Sequence, residues 1–136
     1  MSKDEKPVRV RDVMKTEFDV VDGLATVADA LRGMKYIETK AMIVRRRNDH
    51  DEHGIVELEH IATEVLAKNR SPQRVNIYEI MDKPLICVDP DMDIRYCARL
   101  FERQNLYRAA VVENREVVGI VSYGDIVIKG MKAMMT

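Results

Sequence analysis

At 136 residues the chain has room for one domain or a tight pair of half-domains. It can bury roughly 68% of the surface it exposes when unfolded, with no need of a metal or disulfide. Its 22 basic and 23 acidic residues leave a net charge of −1, which argues against a general attraction to nucleic acid or anionic membrane. The two cysteines, Cys87 and Cys97, lie among apolar neighbours without a CxxC pair, and they read as buried free thiols of a reducing cytosol.

The chain opens on "MSKDEKP", which is polar and carries no secretory signal, and no apolar run reaches the length of a membrane span. A cytoplasmic location follows as the expectation. A short helical turn at "VRDVM" (Val10 to Met14) leads to a brief strand, Asp19 to Val21. Thr26 with Asp29 resembles a capping box, and Val27, Ala30, Leu31 and Met34 then have the i, i+3, i+4, i+7 spacing of one buried helical stripe. "AMIV" (Ala41 to Val44) and "GIVE" (Gly54 to Glu57) read as a hairpin around the polar turn "RRRNDHDE", and a last helix begins near Glu57. "KNRSPQR", from Lys68 to Arg74, is polar, contains Pro72 and reads as a linker.

Beyond the linker the order repeats. "IYEIM" (Ile77 to Met81) lies 67 residues after "VRDVM", and Val21 and Asp22 fall on Val88 and Asp89 at the same offset. A strand is expected at Leu85 to Val88, then a helix with its stripe on Ile94, Cys97, Ala98 and Phe101. "AAVV" and "EVVGIV" are β-branched runs separated by the turn "ENR". Matching "AMIV" to "AAVV" makes the offset 68, and matching Gly54 to Gly119 makes it 65, so the hairpin turn is three residues longer in the first copy. Each copy is a small sheet with flanking helices, in an α+β or α/β chain, and is too small to cover both sheet faces alone.

The order helix, strand, helix, hairpin, helix, with "EIM", "NLYRAAVV" and "GIVSYGDIV" in the second copy, resembles the cystathionine β-synthase-type, or CBS, domain. The whole resembles a CBS pair: repeat one over 8–68 with an altered ligand motif, a linker over 69–75, and repeat two over 76–136 with the motif intact. The resemblance implies two half-domains related by a pseudo-twofold axis, clefts between their sheets, and further dimerisation. It also implies binding of AMP, ADP, ATP or S-adenosylmethionine and regulation of a partner protein. The base pocket it implies comprises Ala109 and Ala110, small beside a flat ring, with Leu85 and Ile86 reading the adenine edge.

The residues themselves suit such a ligand. Ser122 stands where a strand gives way to a helix, whose N-terminal N–H groups favour a phosphate. Asp125 is an acceptor-only group suited to the two hydroxyls of a ribose, and Arg108 offers a planar charged fork to phosphate oxygens. Ser122-x-x-Asp125 is equally a capping pattern, and both roles are compatible. In copy one Lys40 stands at the matching place for Arg108, Glu57 replaces the serine and His60 the aspartate. There a Glu57–Lys40 pair would fill the anion position, leaving an altered second site, empty or changed, with drift at a position without a role as the alternative.

Other signals carry less. His50 and His53 with Asp49, Asp51 and Glu52 could in principle hold a divalent metal, but a solvated loop is the expectation and no metal is assigned. "GIVSYG" lacks the glycine two residues before the serine that a hydrolase elbow needs, neither cysteine has a histidine near it, and no enzyme activity is expected. Met131, Met134 and Met135 suit either an internal junction or a homodimer contact. Two functions follow: a regulatory, signal-transducing module that binds an adenine nucleotide mainly through repeat two, or a ligand-independent dimerisation and interaction module.

Overall fold

The structure, a computed structural model, describes residues 7–135. Most of the polar stretch read above as carrying no secretory signal, residues 1–6, lies outside them, as does Thr136. In chain order the elements are α1 (Val10–Val13), β1 (Asp19–Val21), α2 (Val27–Gly33), β2 (Ala41–Val44), β3 (Gly54–Glu57) and α3 (Leu58–Ile61), which widens into a π-type segment at Ala62–Leu66. There follow β4 (Cys87–Val88), α4 (Ile94–Gln104), β5 (Arg108–Glu113), β6 (Glu116–Ser122), a helical segment running from Tyr123 through Met131, and α5 (Lys132–Met134). The strands form two three-stranded sheets, β1-β2-β3 and β4-β5-β6. In each the first pair is parallel, joined through a helix, and the second is an antiparallel hairpin.

Repeats counted along the chain and compact units in space are not the same segments. One unit is Glu17–Leu85, and the other joins the described residues up to Thr16 to those from Ile86 onward. The linker read at 69–75 therefore lies inside the copy-one unit. Each unit takes the short helical turn that the sequence assigns to the opposite copy, α1 in one case and Ile77–Glu79 in the other. The reason lies in the backbone. Val10 N–H donates to Met92 O and Arg11 N–H to Pro90 O, both at 2.8 Å, while Ile77 N–H donates to Ala25 O and Tyr78 N–H to Gly23 O, both at 2.9 Å.

In the copy-one unit β2 is buried along its whole length, and Val27 and Ala30 of α2 pack on Met42, Val44, Val56 and Ile77. Thr26 Oγ accepts the Asp29 N–H at 3.1 Å, as the cap pattern requires. The stripe differs in one place. Leu31 is 42% exposed and Ala28 is buried, because α2 stops after seven residues at Gly33 and presents a slightly rotated face. In the copy-two unit Ile94, Cys97 and Phe101 of α4 are buried as expected, and Phe101 meets Tyr123 edge-on with ring centroids 5.1 Å apart. The β4 strand is shorter than read, since Leu85 and Ile86 precede it. The β5–β6 turn places Asn114 and Arg115 at φ 53° and 65°, the left-handed pair that matches the twist of a two-residue hairpin.

Candidate functional site

The two glycines that open "GIVE" and "GIVSYG" are the first clue to what the repeat preserves. A side chain at Gly119 would stand 2.7 Å from Lys15 O, and one at Gly54 would stand 2.9 Å from Met81 Sδ and 3.1 Å from Asp82 O. Close approach explains both glycines, because the backbone after each short helical turn pairs with the following residue. Lys15 and Ile120 exchange two N–H···O bonds of 2.9 Å, and Asp82 and Ile55 exchange two of 2.8 and 2.9 Å. This places residues 15 and 82 beside the start of each final helix.

In the copy-two unit that bridge delivers Lys15 to Asp125. Lys15 Nζ lies 2.6 Å from Asp125 Oδ1, and Lys129 Nζ lies 3.2 Å from the same oxygen. Asp125 Oδ2 accepts from the Ser122 N–H at 2.9 Å and from the Ser122 hydroxyl at 3.1 Å, while the Asp125 N–H returns to Ser122 Oγ at 3.3 Å. A carboxylate has about four lone-pair sites, and these four donors use them. Asp125 is only 2% exposed. Burial pushes its carboxyl up, but the hydrogen bond and charge of Lys15, supported by Lys129 and the Ser122 N–H, outweigh burial and hold it below the usual carboxylate range. Ser122 and Asp125 thus form the capping box that the sequence allowed, reinforced by two lysines.

Arg108 opens β5 directly opposite Ser122 of β6, so cation and hydroxyl share one face of the sheet. Arg108 is buried. Ala110 lies on that face as well, two residues along, with Ile120 opposite. Ala109 does not. Strand alternation turns it to the other face, where it packs in the core with Phe101 and Val121, so it cannot flank a base beside Arg108. Ile86 is 45% exposed just before β4. Leu85 belongs to the copy-one unit, where its N–H donates to His53 O at 3.2 Å.

The altered copy corrects one alignment. Pairing sets Ala41 opposite Glu57 just as Arg108 stands opposite Ser122, so the residue equivalent to Arg108 is Ala41 and the offset at β2 stays at 67. Lys40 is the counterpart of Tyr107. Its carbonyl accepts Leu58 N–H at 3.0 Å where Tyr107 O accepts Tyr123 N–H at 3.2 Å. A one-residue slip in a run of small apolar residues is invisible in sequence yet moves every side chain to the opposite face. Lys40 is exposed, with left-handed φ 57°. Glu57 and His60 instead form a capping arrangement, in which His60 Nδ1 accepts the Glu57 N–H at 3.5 Å.

His60 Nε2 lies 3.2 Å from Asp82 Oδ2. Residue 82 is the counterpart of Lys15 and residue 60 of Asp125, so the two units carry a contact at the same place with donor and acceptor exchanged: Lys15 donates to Asp125 in one, His60 to Asp82 in the other. Sequence reasoning missed Lys15, Lys129 and Asp82. The signal was available, because the 67-residue offset that pairs "VRDVM" with "IYEIM" sets Lys15 on Asp82 at the next position. Glu57, His60 and Asp82 bring ligand atoms within 4.8 Å of one another, a set that could hold a metal ion among the described residues. Each His60 nitrogen already has a partner, the Glu57 N–H at Nδ1 and Asp82 at Nε2. The His50 and His53 loop is organised differently: Asp51 takes Arg47 Nε at 3.3 Å and Lys83 Nζ at 2.6 Å.

No helix among the described residues is long and apolar enough to cross a membrane. The CBS domain model matches residues 77–131. The CBS domain-containing protein YhcV of Bacillus subtilis is 26% identical over 122 residues, covering 90% of this chain and 85% of its own length. A hexameric CBS-CP12 protein from bloom-forming cyanobacteria superposes with a TM-score of 0.85 at 35% identity, covering 90% of this chain and 70% of that one. The CBS domain pair of protein MJ0100, solved with 5′-methylthioadenosine and S-adenosyl-L-methionine, shares the fold with a TM-score of 0.75 at 24% identity, covering 93% and 99%. With its two sheets, its duplicated bridge and these relatives, the chain belongs to the CBS domain family as a tandem pair.

Proposed function

We propose that the chain is a regulatory CBS pair that binds an adenosyl compound (AMP, ADP, ATP or S-adenosylmethionine) through the copy-two unit and passes the change to a partner protein. The carrying observation is the placement of Arg108 opposite Ser122 on one sheet face, with Asp125 one helical turn beyond. The adenosyl compounds held by the related pair from MJ0100 support this ligand class. The geometry adds a condition. Asp125 can accept a ribose hydroxyl at Oδ1 only after Lys15 or Lys129 gives way, and where Lys15 yields, binding loosens the tie between the segment after α1 and the final helix. That exchange of partners is the conformational signal. The working state in this reading is a cytoplasmic homodimer without catalytic activity, nucleic acid or membrane.

Calorimetric titration with AMP, ADP, ATP, S-adenosylmethionine and 5′-methylthioadenosine tests it. At least one should bind. Arg108→Gln should weaken the phosphate-bearing compounds and spare methylthioadenosine, which has no phosphate for the guanidinium to meet. Asp125→Asn should weaken them all. The second reading, a ligand-independent interaction module, is favoured by the full occupancy of the Asp125 carboxylate, and it stands if no compound binds.

A further inference from the structure

We propose that the copy-one unit carries a site for a divalent transition metal of zinc's ligand preference, held by Glu57, His60 and Asp82. Ligand atoms of these three residues lie within 4.8 Å of one another. One imidazole with two carboxylates is a donor set that zinc takes, through nitrogen and oxygen at about 2.0–2.2 Å. Two such ligands at a tetrahedral angle stand about 3.4 Å apart, and His60 Nε2 already lies 3.2 Å from Asp82 Oδ2. With every separation below 4.8 Å, the Glu57 carboxylate has at most about 1.4 Å to close, which a side-chain rotation supplies. Anchored backbone presents all three donors. Glu57 ends β3 opposite Ala41, His60 follows three residues on in α3, and Asp82 is held by the two bonds it exchanges with Ile55. Metal at Nε2 takes the place of the proton that His60 donates to Asp82. The ring stays neutral, its one proton moves to Nδ1, and the Glu57 N–H contact, at 3.5 Å the limit of a hydrogen bond, is given up. A carboxylate has about four lone-pair sites, so Glu57 ligates through one oxygen without losing its other contacts. The side chains of His60 and Asp82 are 30% and 60% exposed, which leaves a fourth position to water.

The opposite unit fills the equivalent place with cations of its own. There Lys15 stands at the position of Asp82, Lys129 at that of Glu64, Ser122 at that of Glu57 and Asp125 at that of His60. Lys15 Nζ, 2.6 Å from Asp125 Oδ1, is the positive group that ties the segment after α1 to the final helix. In the copy-one unit an acid occupies each of the two lysine positions. Glu64 turns to Lys68 at 2.6 Å and stays outside the donor set. Asp82 and His60 keep the place of the tie but exchange a built-in ammonium for two metal ligands. One unit is thus pinned by a lysine of the chain, and the other by an ion drawn from solution, whose supply can change. The loop of His50 and His53, the richer pattern in sequence, is engaged elsewhere, since Asp51 takes Arg47 and Lys83.

The test follows the ring nitrogens of the three histidines by NMR while zinc chloride is added to the untagged, chelator-treated full chain. His60 should respond saturably at one equivalent, with His50 and His53 unmoved. Cobalt should compete for the same site, whereas magnesium, which demands an octahedral oxygen shell, should not. Asp82→Asn, a change at an exposed side chain, should weaken zinc by about tenfold or more, and Glu57→Gln by about threefold or more. Zinc should also raise the unfolding midpoint of the wild type more than that of Asp82→Asn. The double variant His60→Asp, Asp82→Lys writes the opposite unit's pair into this one and should abolish the response with shift dispersion retained. Should it fail to fold, Asp82→Asn decides alone. No saturable response up to about 1 mM zinc, shifts confined to His50 and His53, or unchanged affinity in Asp82→Asn would overturn the assignment. Magnesium binding as tightly as zinc would overturn it in favour of a hard-cation site made by the acids alone.

Discussion

Removing the Asp125 side chain measures how much the copy-two unit depends on the contact that joins α1 to the final helix. Asp125→Ala deletes a cap worth about 1 kcal/mol. It also leaves Lys15 facing a nearly buried position without its counter-charge, a loss of about 3 kcal/mol when the orphaned charge is fully buried. Lys15 and Lys129 keep 22% and 51% of their side-chain surface exposed and can turn toward water, so the second loss is smaller than that figure. The expected sum is about 2–3 kcal/mol, read as a midpoint lowered by about 8 °C or more for a unit of this size. Urea unfolding of Asp125→Ala, Lys15→Met and the double variant gives the coupling. A cost near 1 kcal/mol for Asp125→Ala, additive with Lys15→Met, would refute the reasoning, because the cap alone would then account for it. The pH dependence supplies a second check. The Asp125 carboxyl is held below its unfolded value, so its contribution is fully present above the ordinary carboxylate range. It is lost as pH falls through that range, where the unfolded chain takes up the proton first, and the gap between wild type and Asp125→Asn should narrow over the same interval.

Cys87 is exposed while Cys97 is buried, and burial pushes the Cys97 thiol up to about 11, so one equivalent of Ellman's reagent should react rapidly at pH 8 and the second only after denaturation. Gly119→Ala should destabilise by about 1–3 kcal/mol in urea titration, since its new carbon meets the Lys15 carbonyl. Gly54→Ala should cost less, because its first contact is the movable sulfur of Met81. Thr26→Ala should cost about 1 kcal/mol and Thr26→Ser little, which circular dichroism melts can resolve.

The duplication, the hairpins and the α4 stripe were legible because each is a local pattern: a period, a turn, a helical spacing. Partners across space were not. The exchange of short helical turns between units rests on backbone bonds such as Val10 N–H to Met92 O, and backbone groups carry no sequence signature. Lys40 was misplaced because "AMIV" fits "AAVV" and "RAAV" almost equally well, and only the pairing of Ala41 with Glu57 decides between them. Ala109 was assigned to a base pocket for its size, but size does not report which face of β5 it occupies. Ser122 and Asp125 were found, and their capping geometry with them, whereas the lysines that complete it lie 110 residues upstream and one turn downstream.

The replacements at Glu57 and His60 are explained by their partners. Glu57 and His60 differ from Ser122 and Asp125, but each new set again caps its helix, and His60 meets Asp82 where Asp125 meets Lys15. A carboxylate retained solely to grip a sugar would have had no reason to change together with the residue after the preceding helical turn. The exchange therefore assigns residues 60 and 125 a framework role that both units need. Any ligand role at Asp125 is then superimposed on that framework, drawing on a contact the fold already uses. A ligand hydroxyl on Asp125 Oδ1 has to displace Lys15 or Lys129, and only the exchange with Lys15 loosens the tie between the segment after α1 and the final helix.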